Sequence, residues 1–243
     1  MSLGLGLNLY KTKATGASGS GAYSNTKSLL FDGVDDYVDL GSSTGLNFSS
    51  DFTLSAWVKT SLIGANQFII DASTSASLGH GYSVRILADG TVRFWSYSAT
   101  FSLNSISTLS VDTWYNITVT HDRTNAINKI YINGALDNSG ASGGFNPTAT
   151  TNLRLANSVL FGGTFNGFLD EVSFFSDLLS ASDVLSIGGT IPIDLSTFST
   201  PPITWLRMGD GDTAFPTIPD VIGTNDGTAY NENEATMVVP DVP

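Results

Sequence analysis

Cysteine is absent from the chain, and histidine occurs only at His80 and His121. Disulfides, thiolate zinc sites, cysteine nucleophiles and histidine-rich transition-metal centres are thereby excluded. Any metal held here is a hard, oxygen-bound ion, calcium first among them. Basic residues are scarce, with 10 Lys plus Arg against 22 Asp plus Glu and a formal net charge of -12. Phosphate backbones are bound by clustered Lys and Arg that release counterions, so nucleic acid is set aside as a partner. Long apolar runs are missing too: no stretch approaches the roughly 18 residues of a membrane span. The opening MSLGLGLNLYKTK places its lysines after a short apolar run, the reverse of a signal peptide. We expect neither membrane insertion nor a secretion signal.

What is present points to an all-β chain. The 243 residues, 41% hydrophobic and 11% aromatic, can fill a core in one large domain or two small ones. In FTLSAWVKT, Phe52, Leu54, Ala56 and Val58 share one face while Thr53, Ser55, Trp57 and Lys59 take the other, the alternation of a half-buried antiparallel strand. YSVRILA and TVRFWSYS flank Asp89-Gly90, and INKIYI precedes Asn133-Gly134; both dipeptides predict type I′ hairpin turns. Further strands are expected at 28–31, 37–40, 67–71, 114–122, 152–156, 165–175 and 203–208. One short helix is expected, started by Ser180 and Asp183 and stopped by Gly188-Gly189. The segments divide into an N-terminal arm at 1–27, a sandwich at 28–189, and a connector with C-terminal segment at 190–243. The arm is poor in apolar residues except for alternating Leu3, Leu5, Leu7 and Leu9, a pattern suited to docking on a neighbour's sheet edge.

Read in order, SLLFDGVDDYVDLG, FTLSAWVKT, GYSVRILADGTVRFW, DTWYNITVTHD, NKIYINGAL and FNGFLDEVSFFSDLLSASDV resemble the laminin G-like (concanavalin A-like, pentraxin-related) jelly-roll family over about 28–187. The resemblance implies a two-sheet antiparallel jelly-roll sandwich, with calcium in some members and glycan or protein ligands held at rim loops or a sheet face. Many members carry a stretch similar to TWLRMGDGDTAFPTIPDVIGTNDGT before the first block, whereas here it comes last. We therefore expect a circularly permuted sandwich completed from the C-terminus. The same ending also resembles virion-associated proteins of marine bacteriophages, which implies a protein made in the host cytoplasm and located in the virion. On this reading the arm binds virion proteins or copies of itself, and the alternative is a free bacterial lectin or adhesion module.

Three chemistries are open to these residues. Retaining glycosidases need two carboxyl groups about 5 Å apart. Glu171 stands alone beside Asp170, and neighbouring strand residues face opposite ways, so the sequence predicts no catalytic residues and no enzyme. His121 beside Asp122 reads as a strand end. For calcium the acidic stretch Asp32 to Asp39, the family's Asp-Glu-Val strand and the C-terminal turn offer Asp32, Asp170 and Asp226 as ligands, against the alternative that these are solvated turn residues. For glycans, Arg93, Trp95 and Tyr97 share the face of their strand opposite Val92 and Phe94. Loops 73–81, with His80, and 99–112 are placed at the rim of that site.

Overall fold

A computed structural model of the chain describes residues 23–42, 45–73, 81–96, 101–143, 152–211, 214–231 and 233–243. The chain opens with β1 (Ser28–Asp32), β2 (Tyr37–Gly41), β3 (Phe52–Thr60) and β4 (Gln67–Ser73). The hairpin β5 (Gly81–Ile86) and β6 (Thr91–Ser96) is followed by β7 (Ser102–Thr108), β8 (Tyr115–Asp122), β9 (Ile127–Ile132) and β10 (Ala135–Ala141). β11 (Asn152–Leu155) and β12 (Asn166–Phe175) lead to helix α1 (Ala181–Ile187). Beyond it lie β13 (Thr204–Leu206), β14 (Thr217–Ile218), β15 (Gly227–Tyr230), the single turn α2 (Glu234–Met237) and β16 (Val238–Val239).

Two antiparallel sheets result. One runs β10-β9-β8-β3-β12-β1-β16, with β13 also paired to β12; the other runs β14-β15-β2-β11-β4-β5-β6-β7. Between them Phe31, Phe52, Leu54 and Leu169 meet Ile70, Val84, Phe94 and Leu155 in one core. Phe52 anchors it, stacked on Phe48 at 4.5 Å and against Tyr82 and Phe94 at 5.5 and 6.2 Å between ring centres. The C-terminal segment supplies strands to both sheets: Val239 pairs with Ser28, Trp205 with Ser173, and Tyr230 with Tyr37.

The two outer faces differ. The first sheet carries a second apolar layer, in which α1 and the following connector bring Val184, Ile187 and Leu195 down with Tyr131, Phe175 and Trp205. The alternation in β3 predicts one solvated face, yet Thr53, Ser55 and Trp57 are buried beneath this layer. The two hydroxyls are satisfied there: Asn116 and Thr118 both donate to Ser55 Oγ, at 3.1 and 2.9 Å, and Thr53 donates to the Asp177 carbonyl at 2.9 Å. We call this the covered sheet and the other the open sheet.

Turn chemistry separates the two hairpins. Asn133 and Gly134 both have positive φ, +51° and +75°, as a type I′ turn requires. At Asp89-Gly90 only Gly90 does, at +84°, and its N–H closes a turn onto Leu87 O at 2.9 Å. The hairpin forms, but with a turn shifted one residue back; the Asp89 carboxylate instead accepts from the Thr91 N–H and hydroxyl, at 2.9 and 2.6 Å. The loop expected over 99–112 contains β7, whose serines and single core leucine, Leu103, give a weak apolar alternation. The helix starts where its cap residues predict: Ser180 Oγ accepts from Asp183 N–H at 3.2 Å.

Candidate functional site: the outer face of the open sheet

Alternation along β6 sends Val92 and Phe94 into the core and leaves Arg93 and Trp95 half-buried outside. His80 and Tyr97, expected beside them, lie outside the described residues. Strand register extends the face across the sheet. Thr228, Asp39, Arg154, Asp71, Ser83 and Trp95 form one row over β15, β2, β11, β4, β5 and β6. A second row sets Tyr230 opposite Tyr37 at one end, with Phe68, Arg85, Arg93 and Asn104 in register at the other.

Each end is an aromatic group bound to an arginine. At the first, the Arg85 guanidinium lies 4.9 Å from the Trp95 ring and 5.3 Å from Phe68. Phe161 reaches in from the loop before β12, parallel to Phe68 at 6.4 Å and tilted against Trp95 at 5.8 Å. At the second, Tyr230 stacks on Tyr37 at 4.9 Å, and Arg154, ion-paired to Asp39 at 3.3 Å, lies 4.0 Å over the Tyr37 ring. Arg93 Nε donates to Asn104 Oδ1 at 2.8 Å. Between the two ends Asp71 and Ser83 are buried, and the hydroxyls of Ser73 and Ser83 have no hydrogen-bond partner among the described residues. Ring faces can pack on the C–H faces of sugars, while guanidinium, carboxylate and hydroxyl groups bond to sugar hydroxyls. Sequence reasoning missed Arg85 and Arg154, although alternation in YSVRI and NLRL exposes both. Phe161 carries no periodic signal, and the Tyr37–Tyr230 pair depends on a strand order that joins residues 193 positions apart.

The covered sheet holds a different cluster. A bulge in β12, with Glu171 at φ +50° and a register shift between Asp170 and Ser173, turns both carboxyl groups toward residues 23–27. This corrects the expectation that strand alternation keeps Asp170 and Glu171 apart. Asn25 Nδ2 donates to Asp170 at 2.7 Å; Trp205 Nε1 donates to Glu171, and Arg207 Nε does so at 3.3 Å. Burial, followed by the neighbouring Glu171 charge, raises the Asp170 pKa well above the usual carboxylate range. Burial raises Glu171 as well, against the opposing pull of Arg207. Tyr23 stacks on Trp205 at 6.1 Å and Asp210 accepts from Thr26 N–H at 2.7 Å, so residues 23–27 of the expected arm are fastened to the body. Residues 1–22 lie outside the described residues.

Asp32, Asp170 and Asp226 do not converge. Asp32 pairs with Asn166 at the far end of β1, four residues from the Ser28 level of the sheet, or about 13 Å at strand rise. Asp226 accepts from Asp220 N–H at 2.8 Å, in a turn that Asp220 itself organises through Trp205, Gly223 and Asn225. Asp32 instead gathers with Asp35 and Asp36, their carboxylate oxygens within 4.8 Å. Asp32 and Asp36 accept turn N–H bonds there, from Val34 at 2.7 Å and from Asp32 at 2.9 Å. His121 is a buried strand residue, its Nδ1 2.7 Å from Asn128 Oδ1 and its pKa lowered by burial.

Residues 32–185 match the family model of the concanavalin A-like lectin/glucanases superfamily. Among solved structures, a Bacteroides ovatus protein for which carbohydrate binding is proposed superposes with a TM-score of 0.70 at 18% identity, over 90% of this chain and 60% of that one. This chain thus spans under two thirds of its length. A heptameric SAP-like pentraxin from Limulus polyphemus gives a TM-score of 0.58 at 13% identity, covering 71% of this chain and 86% of that one. The CBM40 of the Ruminococcus gnavus IT-sialidase, bound to α2,3-sialyllactose, gives 0.57 at 17% identity, covering 69% and 100%. At these identities the likeness is one of fold. No curated protein matches the chain in sequence.

Proposed function

This chain belongs to the concanavalin A-like lectin/glucanases superfamily, and on that premise we propose that it is a non-enzymatic carbohydrate-binding module whose ligand lies on the outer face of the open sheet. The observation that carries the reading is the Trp95–Arg85–Phe68–Phe161 group. Trp95, Arg85 and Phe161 reach the surface there over a buried Phe68, on a sheet face that the apolar layer of α1 does not cover. Two structural relatives point the same way, one a sugar-bound module and one a protein with proposed carbohydrate binding. Asp170 and Glu171 support the non-enzymatic part. Both are buried and bonded to Asn25, Trp205 and Arg207, so neither is offered to a substrate and a water molecule together.

A glycan array probed with the wild-type protein and with Trp95→Ala tests the proposal. Binding by the first and its loss in the second, with unchanged melting of the fold, is the expected result; binding unaffected by the substitution refutes it. We propose the virion of a bacteriophage as the setting, with the N-terminal arm docking on virion proteins. Its support is the C-terminal motif alone, and a peptide inventory of purified particles tests it. No helix among the described residues is long and apolar enough to cross a membrane.

A further inference from the structure

The two exposed aromatic side chains among the described residues are Phe161, 48% exposed, and Tyr230, 43% exposed. Every other described aromatic ring is buried or half-buried. Both exposed rings belong to the open sheet's outer face, and each is backed by a group of the same composition, an aromatic ring with an arginine over it. Phe161 touches Phe68 on β4 and Trp95 on β6, so it stands over β5, while Tyr230 is on β15. Four strand steps separate β15 from β5, or roughly 19 Å at the usual inter-strand spacing. One sugar ring cannot reach both. The row between them is polar, Asp39, Arg154, Asp71 and Ser83 standing in register.

Resting on the carbohydrate-binding reading above, we propose that the ligand is an extended oligosaccharide laid across the strands, gripped at both ends of the face by Phe161 and by Tyr230. The Phe161 end is the primary grip, because Trp95, Arg85 and Arg93 add ring and hydrogen-bonding surface to it. The Tyr230 end acts as a second contact whose contribution is intramolecular once the first is made, which multiplies affinity rather than adding a separate weak site. A single terminal sugar would engage one end only. Asp39 and Arg154, half-buried in the row between, supply partners for the hydroxyl groups of the sugars there, while Asp71 and Ser83 are buried.

The test uses the full chain on an array of homologous ladders, from mono- to octasaccharide, of glucans, galactans, uronans and sialylated chains. The expected result is a ladder in which affinity rises by about tenfold or more once the chain is long enough to span both rings. Tyr230→Ala should remove that rise and leave binding of the short members intact, whereas Phe161→Ala should weaken every member. Both side chains are exposed, so both variants should melt like wild type. Equal affinity for short and long members, or a length dependence that survives Tyr230→Ala, overturns the extended-ligand proposal while the carbohydrate-binding reading stands. Absence of binding to every ladder overturns that reading and this proposal with it.

Discussion

Replacing Asp170 by asparagine gives a pH signature that follows from the bulge in β12. Asp170 is completely buried beside Glu171, and its pKa is raised from the ordinary 3.8 by burial and by that neighbour's charge. A carboxyl with a higher pKa folded than unfolded keeps its proton in the native state at pH values where the unfolded chain has already lost it. The native state is therefore favoured at low pH, and the advantage is lost as pH climbs from 3.8 through the raised folded value. A full proton of difference gives a slope of about 1.4 kcal/mol per pH unit, falling with rising pH. The side chain introduced by Asp170→Asn keeps an oxygen for Asn25 but cannot ionise. It loses part of the bonding that the two oxygens of Asp170 give Asn25 and the Glu171 N–H, a pH-independent cost of about 1 kcal/mol. The diagnostic quantity is the slope of the difference between the two proteins, which cancels the titrating groups that do not interact with Asp170 and reads Asp170 together with its coupled neighbour Glu171. Urea unfolding of both from pH 4 to pH 8 should show wild type losing stability relative to Asp170→Asn as pH rises. A flat difference, or one in which wild type gains with pH, refutes the description of Asp170 as a buried, proton-holding carboxyl.

Other perturbations test the fold and the network. Phe52→Ala, at the centre of the aromatic core, should cost about 3–5 kcal/mol in denaturant unfolding, and a loss under about 1 kcal/mol would contradict its fully buried place. Trp205→Phe keeps an aromatic ring but removes the N–H given to buried Glu171, and should cost about 1–3 kcal/mol at neutral pH by the same assay. Deleting residues 204–243 strips β13 from β12, β15 from β2 and β16 from β1, which should abolish the cooperative melt and cause aggregation through the opened edges. A soluble truncate with an unchanged melting temperature would show that the C-terminal strands are dispensable.

Much of the sandwich was legible because its strands are amphipathic over their whole length. Phe52, Leu54, Ala56 and Val58 alternate in sequence and all face the core. The helix was legible because its cap is local, with Ser180 and Asp183 three residues apart. What escaped depends on contacts distant along the chain. The burial of Thr53 and Ser55 needs the layer brought by Val184, Ile187 and Leu195, and no local pattern announces that a polar face is covered. The joining of Asp170 and Glu171 needs a backbone excursion at Glu171, a residue type without the conformational freedom of glycine, and so it left no sequence mark. On the candidate face, Arg93 and Trp95 could be read from one strand. Tyr37, Arg154 and Tyr230 come together only through the β15-β2-β11 order, which composition and spacing do not encode.

The central claim is that ligand binds the outer face of the open sheet, and mapping the contact by NMR tests it most directly. With assigned resonances, titration of the oligosaccharide bound best on the ladder array should shift the Trp95 indole N–H and the side-chain signals of Arg85, Arg93 and Arg154, together with the rings of Phe161 and Tyr230. Signals of Trp57, Trp205 and helix α1, on the covered sheet, should stay in place. Shifts concentrated on Trp57, Trp205 and α1 with the open face silent would contradict the account.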